Sequence, residues 1–120
     1  MIPRRREDDI QPVELAGRAR EALAAKKGEG IRLFDVRGVS AVTDFVLTVS
    51  GTSAPHLKAL SEAVRRGLKD EHVSCYRHAG TPDSGWIVLD YLDVVIHIFS
   101  HPARRYYAIE DLWKGCPTPD

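Results

Sequence analysis

The sequence has no excess of charge of either sign. Its 17 Lys and Arg residues are balanced by 17 Asp and Glu residues, so the formal net charge at pH 7 is zero. Binders of nucleic acid or of anionic membranes commonly present a basic field, and this composition excludes such a field for the chain as a whole. A local basic patch remains compatible with the balance.

Cysteines and long apolar runs are also scarce. Cys75 and Cys116 are far apart and form no C-x-x-C pair, which argues against a disulfide framework and against a zinc pattern. No apolar run reaches the roughly 18 residues that a membrane span needs. Acidic residues, rather than the apolar core of a signal peptide, follow the N-terminal arginines. These absences predict a cytoplasmic protein with reduced thiols and no membrane segment.

The residues that are present suit a single globular domain, because 43% of the 120 residues are hydrophobic. We predict a flexible N-terminal tail at 1–11, one domain at 12–116 and a short C-terminal tail at 117–120. Apolar residues recur at helical spacing in 12–27 and 52–70, and each segment has a proline near its start. Two helices are therefore expected.

Short stretches rich in β-branched and aromatic residues predict five strands. They lie at 31–38, 43–51 and 72–78, with two more in 86–99 that turn near Tyr91 and Leu92. A strand, a helix and a further strand predict a parallel crossover, and the last two strands predict an antiparallel hairpin. The expected fold class is α/β with a mixed sheet. Two short helical turns are expected in the closing segment 101–115.

The stretch WIVLDYLDVVIHIF at 86–99 places Asp90, Asp93 and His97 among apolar residues and raises the question of a metal or acid-base site. Residues four apart on a strand are separated by roughly 13 Å, whereas each zinc ligand lies about 2 Å from the metal. Asp93 and His97 are therefore not expected to share an ion. Asp90 and Asp93 also lack the D-x-D spacing with which two carboxylates on one strand reach the same Mg²⁺. We predict no metal and no cofactor.

The loop SGTS at 50–53 lies between a predicted strand and a predicted helix, where anions often bind. No P-loop lysine follows it. Helix capping by Thr52 or Ser53 explains the same residues. A nucleotide-binding or nucleotidyl-transfer enzyme is the alternative to a binding protein without a catalytic site.

Period-two alternation separates the strands into two faces. One face is aliphatic and is expected to lie under the helices: Ile87, Leu89, Val94, Ile96 and Ile98, continued by Phe45, Leu47 and Val49. The other carries Trp86, Val88, Asp90, Asp93, Val95, His97 and Phe99, continued by Asp44, Val46, Thr48 and Ser50. Aromatic anchors with a few polar groups are typical of an interface. The alternative is that helices or the closing segment cover this second face.

Three motifs resemble those of the Iojap family of ribosomal silencing factors. They are DVRGVSAVTDFVLTVSGTSAPHLKAL at 35–60, GWIVLDYLDVVIHIF at 85–99 and RRYYAIEDLW at 104–113. The resemblance covers about 15–114, which is nearly all of the domain, and the three motifs occur at the family's spacing. It departs from the family at Leu92, where glycine is usual, and at 101–103, where a more acidic stretch is usual.

The resemblance implies a single domain with a mixed five-stranded sheet, similar in shape to nucleotidyltransferases but without their catalytic carboxylates. It implies a non-enzymatic factor that binds the large ribosomal subunit through universal large-subunit protein fourteen. Such a factor prevents joining of the small subunit and represses translation when nutrients are limited. A homodimer of the free protein is also implied, whereas contact with a membrane or direct binding of nucleic acid is not required.

Trp86 matches the family's tryptophan at the interface with the ribosomal protein. Combined with the alternation and the motif positions, it gives the expected contact residues: Trp86, Val88, Asp90, Asp93, Val95, His97, Asp44, Arg104 and Tyr107. Arg104 has a second interpretation, in which it forms a buried ion pair with one of the aspartates.

Overall fold

The computed structural model describes residues 10–119. These residues contain three α-helices, five strands and one 3₁₀ helix. The helices are α1 (Pro12–Ala25), α2 (Ala54–Asp70), α3 (His101–Tyr107) and the 3₁₀ helix η1 (Ile109–Trp113). The strands are β1 (Glu29–Asp35), β2 (Phe45–Gly51), β3 (Arg77–Thr81), β4 (Trp86–Asp90) and β5 (Val94–Ser100).

The strands form one sheet in the order β1-β2-β5-β4-β3. β2 and β5 are parallel, and the other neighbouring pairs are antiparallel. β3 therefore runs in the same direction as β2, so α2 connects two parallel strands of the same sheet. The predicted fold class, an α/β domain with a mixed five-stranded sheet, is confirmed.

Both long helices pack on the face that the alternation assigned to the core. α1 contributes Leu15, Ala16, Ala19 and Leu23, and α2 contributes Leu57, Leu60, Val64 and Leu68. These residues pack with the aliphatic face of β2, β4 and β5, whose core positions are 5% exposed or less. The main hydrophobic core thus lies between the two helices and one face of the sheet.

A smaller core lies on the opposite face, near β1 and β2. Its buried members are Phe34, Val36 and Val46, and Trp113 and Cys116 from the closing segment pack against them. The closing segment therefore covers part of the second face, as the alternative interpretation of the alternation expected.

The third strand lies later in the chain than predicted. The expected segment was 72–78, but β3 spans Arg77–Thr81. All five of its residues are exposed, so this edge strand has no buried alternation that a sequence pattern could reveal. Gly80 in this strand has φ +83 and lies so close to β4 that a Cβ would overlap the Trp86 carbonyl oxygen.

Residues within both expected tails contact the domain. Residues 1–9 lie outside the described part of the chain, whereas Ile10 packs against the main core. At the other end, the Asp35 N–H donates to the Pro117 carbonyl at 2.8 Å, and Arg20 donates to the Pro119 carbonyl at 3.3 Å. Among residues 10–119, no helix is both long and apolar enough to cross a bilayer.

Candidate docking surface on the open sheet face

Trp86 is at the centre of an aromatic cluster on the sheet face that α1 and α2 do not cover. It starts β4 and pairs with Phe99 of β5. The centroid of its ring lies 4.6 Å from that of Tyr107, 5.2 Å from that of Phe99 and 5.9 Å from that of His97. Phe99 is fully buried, whereas Trp86 is partly exposed. The indole is therefore packed on several sides and still reaches the surface.

A hydrogen bond joins Trp86 to His97 across the two strands. The indole Nε1–H donates to His97 Nδ1 at 3.1 Å. Burial lowers the pKa of His97 to about 4, although the negative charge of Glu110 acts in the opposite direction. His97 is therefore a neutral acceptor at neutral pH.

Two valines and one ion pair continue the surface from Trp86 toward the far end of β4. Val88 and Val95 are partly exposed. Asp90 pairs with Val95 in the ladder and accepts a hydrogen bond from the Leu92 N–H at 2.8 Å. Its other oxygen lies 3.3 Å from Arg77 of β3. The surface is therefore apolar in the middle and charged at the sheet edge.

The closing segment covers the remainder of this face. Trp113 of η1 packs on Phe34, with the ring centroids 5.7 Å apart, and on His97 at 5.9 Å. Beneath the segment, Thr48 and Ser50 are completely buried. The two interpretations of the alternation thus apply to different halves: the β1–β2 half is a second core, and the β4 half stays open.

Arg104 fixes the closing segment to the sheet. Its guanidinium donates to both oxygens of Glu110 at 2.8 and 2.9 Å, to Ser50 Oγ at 2.9 Å and to Thr48 Oγ1 at 3.1 Å. The expected ion pair of Arg104 with an aspartate is therefore wrong, because the acid is Glu110. The chain reverses at Ala108, which has φ 47, and so brings Glu110 of η1 against Arg104 of α3.

The expected contact residues occupy three places. Asp44 and Asp93 lie at the far end of the sheet from Trp86, where the N–H groups of Asp44 and Phe45 donate to the Asp93 carbonyl. Arg104 lies beneath the closing segment. The others share the open face, and we define the docking surface by these six residues: Trp86, Val88, Asp90, Val95, His97 and Tyr107.

Residues 9–120 match the family model described as ribosomal silencing factor during starvation. The chain belongs to the ribosomal silencing factor family. A ribosomal silencing factor from Halalkalibacterium halodurans is 30% identical over 105 residues, covering 88% of this chain and 90% of the relative. The chloroplastic protein Iojap of Zea mays is 28% identical, covering 94% of this chain and 49% of the relative. A crystal structure of a Chromobacterium violaceum protein has 31% identity and a TM-score of 0.85, covering 92% of each chain.

In this member of the ribosomal silencing factor family, the loop 50–53 acts as a helix cap. Ser53 Oγ accepts from the His56 N–H at 3.2 Å, and His56 Nδ1 accepts from the Thr52 N–H at 2.9 Å. His56 Nε2 reaches the Lys26 carbonyl at 2.8 Å. The imidazole thus connects the start of α2 to the end of α1. Because these loop donors are used within the protein, the geometry favours capping over an anion site.

Sequence reasoning missed two residues beside the docking surface. Arg77 pairs with Asp90, but the misplaced third strand concealed their register. Tyr106 is 82% exposed and meets Tyr107 edge-on, with the ring centroids 5.0 Å apart. Its signal was the adjacent pair of tyrosines on a short helix without buried residues.

Proposed function

We propose that this protein binds the large ribosomal subunit through the docking surface around Trp86. The residues of this surface are proposed to contact universal large-subunit protein fourteen. The bound protein would then prevent the small subunit from joining. Membership of the ribosomal silencing factor family supports the ribosome as the target. The similarity of the Trp86 motif to the family's interface motif supports the choice of ribosomal protein.

The observation that carries the proposal is the partly exposed Trp86, held by Tyr107, Phe99 and His97. Tryptophan supplies a large apolar contact area and is enriched at the residues that dominate binding energy. A ring that is already packed in one orientation loses little conformational entropy on binding. These properties suit Trp86 to be the main anchor.

The rest of the docking surface fits a protein partner. Val88 and Val95 provide apolar area next to the anchor, while the Arg77–Asp90 pair lies at the edge of the sheet. An apolar centre with charges at the rim is the usual arrangement of protein–protein interfaces. Universal large-subunit protein fourteen is therefore proposed to meet the sheet through a surface that accepts an indole.

Silencing by this route needs no chemical step. The described residues form a body of 40 × 32 × 28 Å. A body of that size on the intersubunit side of the large subunit occupies space that the small subunit needs. The proposed mechanism is thus steric exclusion.

Replacing the anchor tests the docking surface. Trp86→Ala is expected to abolish co-sedimentation with purified large subunits, since loss of an interface tryptophan commonly costs about 2 kcal/mol or more, roughly thirtyfold in affinity. The control is Val13→Ala, because Val13 is 55% exposed on α1, on the other side of the sheet. Circular dichroism checks that both variants are folded. A folded Trp86→Ala variant that sediments like the wild type would disprove the role of Trp86.

Two further measurements test the partner and the mechanism. Purified universal large-subunit protein fourteen should bind the wild type and not Trp86→Ala. In a sucrose gradient of mixed subunits, the wild type should reduce the joined fraction and the variant should not. Normal subunit joining in the presence of saturating bound protein would contradict steric exclusion. Sedimentation equilibrium of the free protein tests the expected homodimer separately.

A further inference from the structure

Trp86 makes one side-chain hydrogen bond besides its ring contacts. The indole N–H is a donor only and is the single polar group of the side chain. Here it donates to His97 Nδ1 at 3.1 Å. Contacts that restrain the His97 ring therefore also restrain the orientation of the Trp86 indole.

His97 is itself held firmly by its neighbours. In the ladder it lies between Val88 of β4 and Thr48 of β2. Its ring stacks on Phe99, with the centroids 5.9 Å apart and the planes 10° from parallel, and Trp113 approaches from η1 at 5.9 Å. The imidazole is thus part of the boundary between the second core and the docking surface.

We propose that His97 is the positioning residue of the docking surface: its unprotonated Nδ1 holds the Trp86 indole in the partly exposed orientation that a partner meets. This inference rests on the proposed role of Trp86 as the anchor. It moves His97 from a contact residue to a residue that acts through Trp86. His97 then needs no contact with the partner.

The charged groups near His97 define how the arrangement responds to pH. Glu110 of η1 acts on His97 directly, and Arg104 of α3 and Arg32 of β1 in turn pair with Glu110. The ladder neighbours on β2 and β4, Thr48 and Val88, are not ionisable in this range. Burial outweighs Glu110 and lowers the pKa of His97 to about 4. The Trp86 orientation should therefore be constant through the neutral range and change only near that pH.

Nitrogen NMR of the full-length ¹⁵N-labelled protein tests the hydrogen bond directly. At pH 7 the His97 signals should show a bare Nδ1 and a protonated Nε2, with a coupling partner in the Trp86 indole N–H. Trp86→Phe assigns that indole signal, since the chain has two tryptophans. A proton on His97 Nδ1 at pH 7 would overturn the inference.

Two variants separate positioning from packing. His97→Phe keeps an aromatic ring but removes the acceptor, so the Trp86 indole N–H should exchange faster with solvent and large-subunit binding should weaken roughly five- to tenfold, the equivalent of one hydrogen bond. His97→Asn offers an amide oxygen near the position of Nδ1 and should recover part of both readouts. Unchanged exchange and unchanged binding in His97→Phe would overturn the inference.

The outcomes distinguish this inference from the proposed function. If Trp86→Ala keeps its binding, the proposed function fails, and the NMR experiments still decide whether His97 holds the indole. If Trp86→Ala loses binding while His97→Phe binds like the wild type, the positioning role alone fails. Should His97→Phe not fold, the wild-type nitrogen spectrum and His97→Asn give the decision.

Discussion

The two faces of the central strands are formed by alternate residues of the same segments, but they differ in how they are covered. The face beneath α1 and α2 is aliphatic and closed, and Leu47, Leu89 and Ile96 on it are completely buried. The other face is closed over β1 and β2 by the closing segment and stays open at Trp86. The difference follows from the covering elements, since α1 and α2 have 14 and 17 residues, whereas α3 and η1 have 7 and 5.

Alternate residues of a single strand can therefore serve different roles, one set stabilising the fold and the other set binding a partner. A residue beneath the long helices contributes mainly to the free energy of unfolding, because its removal leaves a cavity. A residue on the open face is already partly hydrated, so its removal changes the free energy of unfolding less and the affinity for a partner more. Substitutions on the two faces should therefore separate into two classes.

The largest expected effect on stability comes from Leu47→Ala. Leu47 is completely buried at the centre of β2, in register with Leu33 of β1 and Ile96 of β5. Its truncation should lower the free energy of unfolding by about 3 kcal/mol in urea denaturation. The comparison on the open face is Val88→Ala, which removes one carbon fewer and is expected to cost about 1 kcal/mol or less. Equal costs at the two positions would contradict the division between the faces.

A smaller loss is expected from Arg104→Met, which tests the closed half of the second face. Glu110, which is mostly buried, would keep only the Thr48 hydroxyl and the more distant Arg32 as partners, so the variant should lose about 2 kcal/mol of stability. The hydrogen bond from Arg104 is the main cause that lowers the pKa of Glu110 in the folded state. A lowered folded pKa gives stability that is present above the ordinary value of 4.5 and is lost as the pH falls through the folded pKa.

The difference between wild type and Arg104→Met should therefore be largest at neutral pH and should shrink as the pH falls below about 4.5. Urea denaturation at several pH values measures it. Arg105→Met is the control, since Arg105 is the exposed neighbour on the same helix. A loss that is independent of pH would mean that packing of the Arg104 stem, rather than its charge, holds the closing segment.

The main fold could be predicted because its signals are local. Helical spacing identified α1 and α2, and alternation assigned the buried face of β4 and β5 correctly. β3 could not be placed, because an exposed edge strand leaves no apolar pattern. The strand pattern therefore works only where one face is buried.

The site could be predicted only in part, for a physical reason of the same kind. Alternation placed Trp86 and His97 on one face, but their hydrogen bond depends on the register between β4 and β5. The Arg104–Glu110 pair depends on the chain reversal at Ala108, where a residue without a special preference has φ 47. A periodic sequence pattern therefore does not predict contacts that depend on strand register or on a chain reversal.

The smallest expected effect tests the turn that sets this register. Leu92 has φ 70, and the Asp93 N–H donates to the Tyr91 carbonyl two residues back, as in a γ-turn. A slip of one residue here would exchange the two faces of β5.

Side chains with a Cβ are strained at such a φ, so Leu92→Gly should be more stable than Leu92→Ala by about 1 kcal/mol. At ordinary strand positions the order is reversed, because glycine has more conformational entropy to lose. Thermal unfolding of the two variants measures the sign, and an alanine variant more stable than the glycine variant would show that the turn imposes no conformational cost on Leu92.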